Sequence, residues 1–161
     1  MSVRSRTTLF TALALAAGLS LAAVTPALAR PSTARATAVA QGDAHNVTQH
    51  VADFYGAYID AVWATGDKSA GAEAKALCAF YLSPAARQKV AAYESEEHAD
   101  GILFAQNAPV RWQVAYTGSG AGHATSRVTL TWSDGPHAEL TRIDVQSDLR
   151  TLKITDLKPA G

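Results

Sequence analysis

The sequence predicts an α+β fold, in which three N-terminal helices pack on one face of a curved four-stranded antiparallel meander. Three observations carry that reading. Large apolar residues recur at three- and four-residue steps through residues 45–65, the period of a helix with one buried face. Beyond residue 110 the spacing changes to alternation, the period of a half-buried strand. Turn residues then divide the alternating runs into hairpin-sized pieces. Helices first and strands afterwards is a segregated order, which puts the helices on one face of an antiparallel sheet.

The first helix is carried by Val47, Val51, Phe54, Tyr55, Tyr58 and Val62 and stops at Gly66. A second helix, 70–82, turns Leu77, Phe80 and Tyr81 inward. Ser83-Pro84 reads as an N-cap followed by proline at the first helical position, where its missing N–H costs nothing. The third helix then runs to about residue 95 with Val90 and Tyr93. In the first strand Val110, Trp112, Val114 and Tyr116 alternate with Arg111, Gln113 and Ala115; in the second Val128, Leu130 and Trp132 alternate with Arg127, Thr129 and Thr131. The first members of each set, including Trp112 and Trp132, are expected to face the helices.

Gly118-Ser119-Gly120-Ala121-Gly122 joins these strands as a hairpin loop, and Asp134-Gly135 signals a tight turn before the third. The third strand, 137–146, carries Leu140 on one parity and Ile143 and Val145 on the other, which predicts a bulge near Thr141. The fourth, 150–157, is expected to bury Leu152 and Ile154. Arg111, Gln113, Arg127, Thr129, Thr131, Thr151, Lys153 and Thr155 are assigned to the solvated face.

Residues 1–29 have the pattern of an export signal: Arg4 and Arg6, an apolar run over 9–24, and Ala27-Leu28-Ala29 as a small-x-small cleavage site. Gly18, Ser20 and Pro26 interrupt or close the run, so no stable membrane span is expected. The predicted product is secreted or exported to the cell envelope after cleavage behind Ala29. Residues 30–43 lack apolar periodicity and read as a flexible mature N-terminus, and 44–161 as a single α+β domain. Loss of two arginines with the signal leaves 12 basic against 14 acidic residues, a formal charge of −2. That balance argues against nucleic acid, whose phosphates require a basic surface. Cys78 is the one cysteine and lies in an apolar helical context, so no intramolecular disulfide forms and the thiol reads as buried and inert.

The chain resembles the nuclear-transport-factor-2-like (cystatin-like α+β) superfamily, and more narrowly an uncharacterised group of bacterial exported domains. Four segments carry the resemblance: Phe54-Tyr55-x-x-Tyr58-Ile59, Tyr81-Leu82-Ser83-Pro84, the run from Asp100 to Asn107, and Leu152-Lys153-Ile154-Thr155-Asp156. It extends from about Val47 to Leu157. The exported group often has proline after the first acidic residue of the third motif and aspartate at its end, where Gly101 and Asn107 stand here. The resemblance implies helices and a curved sheet enclosing a cone-shaped pocket, and an open sheet face that serves as a homodimer surface. It implies no single function, because that pocket hosts isomerases, dehydratases, ligand binders and interaction modules.

Asp100, Gln106 and Asn107 with Trp112 are the strongest candidates for a ligand pocket, since a carboxylate and two amides beside an indole can orient a small polar molecule. Tyr55 and Tyr58 are candidate donors and Trp132 a further lining ring. Asp100 is the sole candidate general base, and the competing reading makes it the cap of a turn. Glu94, Glu96, Glu97, His98 and Asp100 lack the spacing of a calcium loop, and His45, His50, His98, His123 and His137 show no zinc spacing. Neither metal nor cofactor is expected. The leading functional expectation is an exported non-catalytic module that binds a small molecule or an envelope or extracellular protein. The alternatives are a small-molecule isomerase or hydrolase using the pocket carboxylate, and a secreted protease inhibitor, for which Gln113-Val114-Ala115-Tyr116-Thr117 lacks the Gln-x-Val-x-Gly wedge.

Overall fold

A computed structural model describes residues 42–64 and 66–161, so the predicted signal, its cleavage site and residues 30–41 lie outside the described residues. The described residues belong to one unit of the chain, Val39–Gly161. Helix α1 spans Val47–Trp63, α2 Ala70–Tyr81 and α3 Pro84–Glu97, followed by β1 Arg111–Gly120, β2 His123–Thr131, β3 Leu140–Asp148 and β4 Ile154–Pro159. The strands form one open antiparallel sheet in the order β1-β2-β3-β4. The α+β architecture read from the sequence is therefore the architecture of the protein.

Local chemistry sets the boundaries. The Asn46 side chain accepts hydrogen bonds from the N–H groups of Thr48 and Gln49 and caps α1. The Ser83 hydroxyl accepts from Ala86 N–H at the start of α3, with Pro84 at the first helical position. His98 ends α3 in the left-handed conformation, φ 53°. Ala121 and Gly122, with φ of 50° and 80°, close the β1–β2 hairpin in the mirror-image turn that suits strand twist.

The core lies where α1 crosses the sheet. Val51, Phe54 and Tyr55 of α1, Val128 and Leu130 of β2, Ile143 and Val145 of β3, and Ile102 and Leu103 are almost wholly removed from solvent. Each such side chain contributes about 1.5–3 kcal/mol by burial. The β4 edge is covered, because Ser83 N–H donates to the Ile154 carbonyl at 2.8 Å and Lys89 pairs with Asp156 at 2.7 Å. The outer edge of β1 has no strand partner among the described residues.

Several expectations are corrected. The β2–β3 register is continuous through Leu130↔Thr141, so there is no bulge near Thr141. Leu140 simply points to the solvated face at 44% exposure, and the irregularities fall at Tyr116/Gly118 and Gln146/Ser147. Leu152 is not a buried strand residue: it sits in the β3–β4 turn with φ 60°, and β4 starts at Ile154 and buries Leu157. Thr151 and Lys153 belong to that turn region rather than to the sheet face. Helix α2 buries no residue fully, and Phe80, expected inside, is 60% exposed. Trp63 is largely exposed and anchored by its Nε1, which donates to the Pro109 carbonyl. Among the described residues no helix is long and apolar enough to cross a membrane.

Candidate functional site

Beyond His98 the chain folds into a closed turn, in which Asp100 N–H donates to Ala105 O at 2.9 Å and Phe104 N–H to Asp100 O at 2.8 Å. The Asp100 side chain holds this turn together. Its Oδ1 accepts from the N–H groups of Ile102 and Leu103 at 2.7 and 2.8 Å, while Oδ2 accepts from the Tyr58 hydroxyl at 2.7 Å. Both oxygens are engaged by short bonds. Gly101 is required for close approach, since a Cβ there would lie 2.8 Å from the Val90 carbonyl oxygen.

The two tyrosines are structural partners of the same turn. Tyr55 donates to the Ile102 carbonyl at 3.3 Å, and Tyr58 to Asp100. Burial, and then the Asp100 charge, raises both phenol pKa values well above the ordinary range, so both remain neutral donors. Gln106 donates to the His98 carbonyl at 3.4 Å. Gln106 and Asn107 are exposed and share with Asp100, Glu94 and His98 an open cleft of about 530 Å³.

The two indoles do not join this group. Trp112 faces α1, as its parity required, but lies on the edge strand at 38% exposure, with its ring against Gly56, where a Cβ would meet Cζ2 at 2.9 Å. Trp132 packs at the core margin and its Nε1 donates to the Thr141 hydroxyl at 2.9 Å. Between α1 and the sheet Phe54, Tyr55, Leu130 and Ile143 belong to the core, and an open groove of about 550 Å³ remains between the first turns of α1 and β1, lined by Gln49, Ala52, Val114 and Tyr116. Among the described residues no group of three or more His, Cys, Asp or Glu side chains is set to hold a metal ion.

A different cavity, of about 450 Å³, opens between α2 and α3 with Tyr58 at its floor. Ala74 and Cys78 of α2 and Val90 and Ala91 of α3 form apolar walls, and Lys75, Arg87 and Glu94 stand at the rim. Tyr58 lines this pocket and its bond partner Asp100 lines the polar cleft, while Glu94 borders both. Burial pushes the Cys78 thiol up to about 12, reinforced by the Asp100 and Glu94 charges and opposed by Arg87. A thiol so placed is protonated and not a nucleophile. Sequence reasoning missed this pocket. The signal was a pair of helical stripes, 74/75/78/82 and 87/90/91/94, whose mutual facing is a tertiary fact.

Neither protein-family models nor curated proteins give a match to this chain. A crystal structure of a protein of unknown function from Bacteroides thetaiotaomicron is similar to it, with a TM-score of 0.59 at 21% identity, over 70% of this chain and 88% of that one. At that identity the likeness speaks to the fold alone.

Proposed function

We propose that this chain is an exported, non-catalytic module that binds a small molecule in the pocket between α2 and α3. One observation carries the reading: Asp100, the candidate general base read from the sequence, accepts hydrogen bonds on both oxygens, from Tyr58, Ile102 and Leu103. A base must have a lone pair free to reach a substrate proton. The helix-side pocket supplies an apolar interior with few polar groups at its mouth, the composition of a small-molecule site. Export rests on the leader pattern of residues 1–29. Three helices followed by a meander also support kinship with the NTF2-like superfamily.

A thermal-shift screen of small metabolites tests the reading. A ligand of the pocket raises the melting temperature of the native chain by binding only the folded state. It leaves Ala91→Phe, which fills the cavity, unmoved. Stabilisation that survives equally in Ala91→Phe excludes this pocket.

A further inference from the structure

The rim of this pocket carries charge in a particular arrangement. Arg87 and Glu94 lie on one face of α3, two turns apart, which separates their backbones by about 10 Å at the helical rise. Between them the wall is apolar, formed by Val90 and Ala91, with Cys78 and Leu82 opposite. Neither Arg87 nor Glu94 forms an ion pair within 4 Å among the described residues, whereas Lys89, on the same helix, does. Glu94 Oε1 accepts the Gly101 N–H at 3.3 Å, which fixes that carboxylate at the Asp100 end of the pocket. Lys75 adds a second cation on the facing helix.

A cation and an anion at opposite ends of an apolar trough match a ligand of opposite polarity with an apolar body. An extended peptide advances about 3.3–3.6 Å per residue, so the termini of a di- or tripeptide span about 7–11 Å. The volume of about 450 Å³ admits a body of that size. We infer that the α2–α3 pocket takes a short apolar zwitterion, a di- or tripeptide with free termini, with its carboxylate at Arg87 and its ammonium at Glu94. The inference rests on the small-molecule reading above and adds the ligand's class and orientation. It assigns no chemistry to the peptide: Glu94 serves as the ammonium's partner, both Asp100 oxygens already accept hydrogen bonds, and burial holds the Cys78 thiol protonated.

The test is a calorimetric titration of the folded chain with alanyl-phenylalanine, its N-acetyl form and its C-terminal amide. The free dipeptide is expected to bind best. Each blocked form should bind about tenfold more weakly, the size of one charge-assisted contact at a partly open site. Glu94→Gln should erase the penalty for acetylation but keep that for amidation, and Arg87→Gln should do the reverse. Both side chains are exposed at the helix surface, so both variants should keep the native melting temperature. Equal affinity for free and blocked forms overturns the zwitterion while leaving the pocket standing. If the blocked and free forms all fail to bind while an uncharged apolar probe stabilises the native chain but not Ala91→Phe, the peptide is the wrong class. If nothing distinguishes the native chain from Ala91→Phe, the pocket reading itself fails.

Discussion

Replacing Asp100 by alanine separates a structural cap from a catalytic base. Asp100→Ala removes the acceptor of three hydrogen bonds at once, two of them from the N–H groups of Ile102 and Leu103, which are 0% exposed. A buried donor left without a partner costs about 1–3 kcal/mol, and loss of the acceptor for the Tyr58 hydroxyl adds up to a similar amount. Losses within one network are not additive, so about 3–5 kcal/mol is expected. That is a large share of the roughly 5–15 kcal/mol that holds a domain folded. Asp100→Asn keeps an acceptor for the two backbone donors and turns its amide toward the Tyr58 oxygen, so it should cost only about 1–2 kcal/mol. Urea denaturation, with stability and m-value fitted for each variant, measures both. Catalytic residues are commonly destabilising, and their removal raises stability. Asp100→Ala as stable as the native chain, or no worse than Asp100→Asn, would refute the cap and return Asp100 to the candidate bases.

Leu130→Ala, on the inner face of β2, should cost about 2–5 kcal/mol, whereas Thr129→Ala, on the outer face opposite Gln113 and Arg142, should stay within about 0.5 kcal/mol; equal losses in denaturation would contradict the register. His50 packs against Tyr81 with ring centroids 4.5 Å apart, and burial lowers its pKa, with Asp53 opposing and Lys153 assisting. The unfolded chain therefore binds a proton that the folded chain resists, so stability should fall as pH drops below about 6.5, and His50→Gln should flatten the profile there. Cys78, with its thiol pushed up to about 12, should react with a disulfide reagent at pH 8 roughly a hundredfold more slowly folded than in urea. Comparable rates would mean that α2 does not shield it.

Periodicity made the elements legible because burial is what selects side chains at each step of a helix or strand. The helical stripe of Val51, Phe54, Tyr55 and Tyr58 and the alternation through Val128 and Leu130 both name residues that the core contains. Parity misled where a local side chain outcompeted it. Leu152 and Ile154 share strand parity, yet Asp148 Oδ1 accepts from Arg150 and Thr151 N–H and draws residues 149–152 into a turn. Exposure of Trp112 and Tyr116 follows from β1 being an edge strand, which no single strand's sequence records. Of the site, the pairing of Tyr58 with Asp100 joins two segments already singled out, but its geometry had to be seen. The pocket of Lys75, Cys78, Arg87 and Glu94 arises from the crossing of two weakly amphipathic helices, and neither helix announces it alone.

The most direct measurement is a map of backbone amide shifts of the folded chain, by heteronuclear NMR, during titration with a ligand drawn from the thermal-shift screen. The account expects the perturbed amides to cluster on residues 74–82 and 87–94, with Ile102 and Leu103 responding through the Tyr58–Asp100 bond. A map centred instead on the outer face of the sheet, at Arg127, Thr129, Arg142 and Asp144, would contradict it and make that face the functional surface.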